Sequence, residues 1–261
     1  MDIRSTFLMY HELELPGREL CQPEPGYRRY VLAAADFERQ MRRLKDSGFH
    51  GVSVGEALKF SQPRQVVITF DDGSETDLIT AAPILSELRF GATFFVTTGF
   101  LGRRGNLNET QLRELGARGF EIGCHSSTHP YLPDIDMAGL RREIVDPKLK
   151  LEQILGSKIE HFSCPGGRFD QRVVEIVREA GYQSMSTSQM RMNSRQTDFL
   201  NLGRVAILRD MAAPQVAQIA AGSGLWKMNF AQSSRDLAKN ILGNKIYDRL
   251  RAGVLVDRNS K

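Results

Sequence analysis

The sequence predicts an α/β fold of parallel strands joined by crossover helices, closed as a barrel or wound as an open sheet. Three observations carry this. Seven or eight strand–loop–helix units follow one another through residues 1–224 without a linker, and regular alternation of this kind favours parallel pairing. The run Val66-Val67-Ile68-Thr69-Phe70 reads as a buried strand that stops abruptly on Asp71-Asp72-Gly73. Chemistry-bearing residues from separate segments (His11, Asp71, Asp72, His125, Pro165) all fall at the C-terminal ends of such strands, where barrels of this type carry their function.

Each element has a local reason. Residues 5–10 read as a strand that delivers His11, and 12–29, rich in Pro, Gly and Glu, as an irregular excursion. Phe37, Met41 and Leu44 repeat at helical spacing before Gly48, so 35–45 is a helix. A brief strand is expected at 52–54 and a short helix at 56–60. The strand 66–70 precedes a helix over 76–88, and 92–97 is a β-branched and aromatic strand. Asn108 caps a helix over 107–115. The strand 120–123 ends at Cys124-His125, and 137–155 is a long helix in which Pro147 predicts a kink or split. A strand at 161–163, a helix over 170–180 capped by Asp170 and stopped by Gly181, strands at 183–186 and 205–208, and a helix over 214–221 complete the body. In the tail, Leu237, Ile241, Leu242, Ile246 and Leu250 form an apolar stripe along 233–251.

The charge belongs to that tail. Residues 225–261 carry eight Lys/Arg against three Asp, or +5, so the total of +4 leaves −1 for residues 1–224. The body offers no electrostatic reason to bind nucleic acid. The tail reads as a helix packed on the barrel, or as a basic amphipathic helix contacting an anionic membrane surface or a partner. The first twelve residues show no apolar signal region. The three cysteines, Cys21, Cys124 and Cys164, are an odd set without CxxC, which fits a reducing compartment and small apolar fillers. These features predict a cytoplasmic protein or one on the inner membrane face, and a periplasmic or extracellular one if the precursor is longer.

Adjacent Asp71 and Asp72 must point in different directions and can divide two roles, one binding a metal and the other handling a proton. The competing reading is a plain Asp-Gly turn. His125-Ser126-Ser127-Thr128-His129 aims two imidazoles at one point. Two His and one carboxylate suit Zn²⁺ with a position left open, and cobalt or nickel fit the same donors.

Thr69-Phe70-Asp71-Asp72-Gly73, His125-Ser126-Ser127-Thr128-His129 and Phe162-Ser163-Cys164-Pro165-Gly166-Gly167 together resemble the first three motifs of the polysaccharide deacetylase (NodB-homology, carbohydrate esterase family 4) domain, over roughly residues 5–210. The resemblance implies a distorted (β/α)7 barrel with a C-terminal helical tail, and hydrolytic removal of N-acetyl groups from an amino-sugar glycan with release of acetate. It implies that Asp71 is the catalytic base, that Asp72, His125 and His129 hold a divalent metal, most suitably zinc, and that Gly166 after Pro165 supplies an oxyanion donor.

This sequence departs from the family pattern in three motifs, the third, fourth and fifth. The Arg that opens the third motif and braces the catalytic Asp is Ser163 here, with Arg168 and Arg204 as candidates for its role. The aromatic after the proline is Gly166. The fourth motif has no match in 183–193, and no histidine follows His161 to act as the fifth motif's general acid. Leu8-Met9-Tyr10-His11 resembles instead the circularly permuted poly-N-acetylglucosamine deacetylases, in which the last strand and its His stand first. That likeness makes His11 the general acid and leaves His50 and His161 as structural residues. Two other readings accompany the enzyme: a catalytically degenerate carbohydrate-binding barrel, and a relative that hydrolyses another C–N bond in a small amide.

Overall fold

The strand-forming runs assemble into a curled eight-stranded parallel sheet and a small two-stranded one in a computed structural model that describes residues 4–22, 24–60 and 62–225. In chain order the elements are β1 (Thr6–Tyr10), β2 (Leu13–Glu14), α1 (Pro25–Arg28), β3 (Leu32–Ala33), α2 (Ala34–Asp46), β4 (His50–Val52), α3 (Val54–Lys59) and β5 (Gln65–Phe70). A π-helical turn (Asp77–Ala81) then leads into α4 (Ala82–Leu88), followed by β6 (Thr93–Val96), α5 (Glu109–Ala117), β7 (Glu121–Cys124), α6 (Met137–Leu155), β8 (His161–Ser163), α7 (Gln171–Glu179), β9 (Ser184–Ser186), β10 (Val205–Ala206) and α8 (Ala213–Ala220). The chain divides into two compact units, 1–223 and 224–261. The expected amphipathic tail helix lies outside the described residues.

The sheet runs β10-β1-β5-β6-β7-β8-β9, with β4 also on β5, and its registers are parallel throughout. Its two ends approach through Leu202. This residue bridges Ser186 of β9, and its carbonyl accepts the Thr187 N–H at 2.8 Å. β10 begins three residues later. This is the curled barrel that the alternation predicts. β1 pairs with β10 on one side and β5 on the other, so the first and last strands are neighbours.

Period-two alternation decides which residues face the inside. Tyr10, Phe70 and Phe94 point outward and form an edge-to-face and stacked series with Phe37 of α2 and Phe120, at centroid distances of 5.0–5.5 Å. Burying each such ring contributes about 1.5–3 kcal/mol. Phe7, Val67 and Phe95 face inward and pack with Val54 and Leu202. Gly123 makes room for this, because a Cβ there would lie 2.4 Å from the Phe95 ring. Continuing the inward parity past the strand ends places His11, Asp71 and His125 over the mouth of the barrel.

Several boundaries differ from the expected ones for local reasons. The strand expected at 52–54 ends at Val52, because Ser53 is a helix cap. Its side chain accepts the Glu56 N–H while Glu56 accepts the Ser53 N–H, which starts α3 two residues early. The helix expected over 76–88 opens with a π turn. α6 runs unbroken from Met137 to Leu155 through Pro147, since packing on α5, α7 and β7 holds its buried face in place.

Candidate active site

β5 ends on Phe70, and the Asp71 N–H donates to the Tyr10 carbonyl at 3.0 Å, so the pairing with β1 fixes where the first carboxylate stands. Asp72 (φ +80°) and Gly73 (φ +78°) then take left-handed backbone. This turns the Asp72 side chain back toward the mouth. Positive φ at a non-glycine residue is strained and clusters at functional sites.

Asp71 is braced by Arg204. Nη1 donates to Oδ1 at 2.7 Å and Nη2 to Oδ2 at 2.8 Å, a two-pronged pair with both side chains out of water. Arg204 also donates to Ser163 Oγ (2.7 Å), Thr69 Oγ1 (3.2 Å) and the Thr187 carbonyl (3.2 Å). Ser163 Oγ donates in turn to Asp71 Oδ2 at 3.3 Å. The brace missing from position 163 thus comes from the segment before β10, and Ser163 is small enough to admit it. Arg168, the other candidate, stacks on Tyr131 with its guanidinium carbon 3.7 Å from the ring centre. Burial alone would raise the Asp71 pKa, but Arg204 and the neighbouring histidines hold it far below the usual carboxylate range. Three of about four lone-pair sites on this carboxylate are engaged, which leaves one on Oδ1 for an incoming proton.

The imidazoles are set by backbone geometry. The His125 N–H donates to the Val96 carbonyl at 2.9 Å. Its Nδ1 lies 2.8 Å from the Ser163 carbonyl, so it carries the proton and leaves the Nε2 lone pair outward. Ser126 (φ +66°) and His129 (φ +65°) turn the loop back on itself. Buried Glu143 of α6 clamps it, accepting the Ser127 N–H (2.9 Å), the Thr128 N–H (2.8 Å) and the Thr128 hydroxyl (2.7 Å). Asp72 Oδ1 stands 3.7 Å from His125 Nε2 and 3.5 Å from His129 Nε2.

One donor atom from each of Asp72, His125 and His129 falls within 4.8 Å of the others. The set fits a divalent ion on two further counts. Asp72 Oδ1 is buried with no hydrogen-bond partner among the described residues, a state that costs about 1–3 kcal/mol unless a cation or donor offsets it. Burial also lowers the His125 pKa to about 4, so its ring is neutral and can ligate at neutral pH.

His11 follows β1 and faces the same centre, within electrostatic reach of both Asp71 and Asp72. Its ring lies 5.0 Å from that of Tyr30, and its buried Nδ1 has no partner among the described residues. Burial lowers its pKa, and the two carboxylates oppose that shift. Pro165–Gly167 forms a 3-10 turn at the end of β8, with Gly166 left-handed (φ +61°). A Cβ at Gly166 would stand 2.8 Å from the Tyr131 ring. Tyr131 therefore covers the place where the family carries its own aromatic.

The remaining singled-out residues are structural. His50 is exposed. His161 lies at the opposite, N-terminal end of the sheet, with Nδ1 2.9 Å from Ser184 Oγ and Nε2 3.5 Å from Glu121. Cys124 and Cys164 are fully buried, and burial pushes the Cys124 thiol up to about 12, as expected of inert fillers.

Behind the Asp-Asp turn lies a group that the motifs did not flag. Asp77, in the π turn, is buried with neither carboxylate oxygen partnered among the described residues. Burial, with the nearby charges of Asp72, Glu12 and Asp71, raises its pKa well above the ordinary value. An acid raised on folding contributes stability below its unfolded pKa of about 3.9 and loses it as pH rises toward the folded value. Asp77→Asn is therefore expected to gain melting temperature relative to the parent from pH 4 to pH 9. Thermal melts in chelator check this, and a difference constant across that range would refute it.

The model of the family described as polysaccharide deacetylase matches residues 60–185. That span holds Asp71, Asp72, His125, His129 and Pro165 but neither His11 nor Arg204. The chain is 27% identical over 211 residues to YxkH of Bacillus subtilis, covering 78% of this chain and 72% of that protein. It is 31% identical over 121 residues to the peptidoglycan-N-acetylglucosamine deacetylase of Bacillus cereus, covering 46% of this chain and 54% of that protein, so it spans about half the length of this relative. The solved structure of the Streptococcus pyogenes deacetylase PplD in complex with acetate superposes with a TM-score of 0.74 at 25% identity, over 84% of this chain and 99% of that one. The matched span, the curled parallel sheet and the Asp-Asp/His-His mouth converge, and the chain carries a polysaccharide deacetylase (NodB-homology) domain.

Proposed function

We propose that this chain is a divalent-metal-dependent hydrolase that removes the acetyl group from an N-acetylated amino sugar of a glycan. The observation that carries the reading is the convergence of a braced carboxylate, Asp71, with the Asp72/His125/His129 donor set on one barrel mouth. The polysaccharide deacetylase domain supports the carbohydrate deacetylase class. Asp72, His125 and His129 would hold the ion, and zinc suits two imidazoles and a carboxylate. When bound, the ion supplies Lewis-acid polarisation of the amide carbonyl and acidifies water.

The residues do the rest. Asp71, held ionised and oriented by Arg204, accepts a proton from water as its oxygen bonds to the acetamide carbon. The Gly166 N–H is assigned to the developing oxyanion beside Pro165. His11 donates a proton to the sugar nitrogen as the C–N bond breaks, giving acetate and a free amine. Burial favours neutral His11, and the carboxylates oppose this, so its charged form depends on them.

Asp72→Asn and His129→Ala are each expected to bind metal at well under one equivalent by elemental analysis and to release no acetate from chito-oligosaccharides. Full stoichiometry in either variant would remove that residue from the ligand set. Glycan binding without acetate release by the metal-loaded parent would favour the degenerate carbohydrate-binding barrel.

A further inference from the structure

Three aromatic rings stand around the candidate site, each next to a different functional residue. Tyr30 packs on His11 at 5.0 Å between centroids. Phe100 lies 6.2 Å from the His129 ring, and Tyr131 covers Gly166. They come from three separate segments: the connection between α1 and β3, and the loops that follow β6 and β7. Open aromatic faces so placed would serve neutral sugar rings by stacking. Here each ring already carries a guanidinium. Arg29 sits over Tyr30 at 5.2 Å, Arg103 over Phe100 at 4.8 Å and Arg168 over Tyr131 at 3.7 Å.

The planar N–H fork of a guanidinium laid on a ring matches phosphate or carboxylate oxygens; Arg103 is exposed and Arg29 half-buried, whereas Arg168 Nη1 is buried. Several acids between β1 and α1 or after β8 are spent elsewhere. Glu14 pairs with Arg209, Glu19 with Arg104 and Glu12 with Arg18, while Asp170 pairs with Arg172. Among the described residues no carboxylate pairs with Arg29 or Arg103.

We infer that the substrate is an anionic N-acetylated glycan, one whose phosphate or carboxylate groups are read by Arg29 and Arg103 on the rings of Tyr30 and Phe100 beside the site. This rests on the deacetylase reading for where the acetamido group sits, but the preference for an anion is a property of binding. Arg29 and Arg103 cap rings that lie beside His11 and His129, in separate parts of the chain, so an anionic group on the acetylated residue is offered a guanidinium from either. The attraction is between charges at a water-exposed rim and weakens as salt rises.

The test uses the full metal-loaded chain and three probes built on one sugar chain: chitotriose, chitotriose 1-phosphate and chitotriose oxidised to its aldonic acid. Dissociation constants come from calorimetry and acetate release from steady-state kinetics. At low ionic strength at least one anionic probe is expected to bind 10-fold or more tighter than chitotriose, an advantage that shrinks several-fold by 0.5 M salt. Arg29→Gln and Arg103→Gln should each reduce the anionic-to-neutral ratio several-fold. A phosphate-only preference points to sugar phosphates, and an equal carboxylate preference to acidic sugars. Equal binding of all three probes, or variants that weaken neutral and anionic probes alike, overturns the inference. A clear anionic preference without acetate release sinks the deacetylase reading alone, whereas acetate release without any preference sinks this inference alone.

Discussion

Arg204→Ala is expected to be the most damaging single substitution in this protein. It removes the counter-charge of a carboxylate that is buried with it and shares two short hydrogen bonds. Breaking a buried pair from one side costs about 3–5 kcal/mol, and for a domain of this size each kcal/mol is worth about 2–4 °C, so the melting temperature should fall by roughly 6–20 °C. The same change exposes Asp71 to the effect that Arg204 now overrides. Burial would push its pKa upward, and the acidic limb of any surviving activity would move to higher pH. Arg204→Lys should fall between, because an ammonium cannot reproduce two parallel bonds. Thermal melts and a pH–rate profile read both effects. An alanine variant with parental melting temperature and an unmoved acidic limb would deny Arg204 the bracing role.

His11→Ala should separate metal binding from proton donation. None of the three proposed ligands is touched, so metal content stays at the parental level. The loss of a general acid is expected to lower kcat on an N-acetylglucosamine oligomer by about 10²–10⁴-fold. An aryl acetamide with a good leaving amine needs less protonation, so the variant should lose far less on it. Unchanged turnover of the oligomer would remove His11 from the mechanism. Equal losses on both substrates would assign it to binding or structure instead.

The two carboxylates and two imidazoles were legible because each lies beside a strand end and within a short local motif. The parity of the strands then carries Asp71, His125 and His11 to one face. Arg204 was legible only as a candidate. Its partners are Thr69, Asp71, Ser163 and Thr187, and the nearest in sequence is 17 residues away. No local pattern marks an arginine whose role is set by how a sheet curls. Glu143, 15 residues from Thr128 on a long helix, was hidden for the same reason. Tyr30 stands just past an excursion whose composition announced only irregular backbone, and no motif marks it. The shift of α3 was locally readable, since Ser53 and Glu56 are spaced as a reciprocal cap, but the Val52-Ser53-Val54 run outweighed it.

The span of 133 residues between Asp71 and Arg204 gives the site a history during synthesis. At about 5–20 residues per second, a ribosome takes roughly 7–27 s to cover that distance. Throughout that interval the nascent chain holds the Asp71 carboxylate without its counter-ion, and β1 without its β10 neighbour. The inner face of the barrel mouth therefore cannot close on Asp71 until nearly all of the body has emerged. Premature burial is disfavoured by the charge itself, which keeps the mouth hydrated until the final strand brings the arginine in. The ion pair thus joins completion of the candidate site to completion of the barrel.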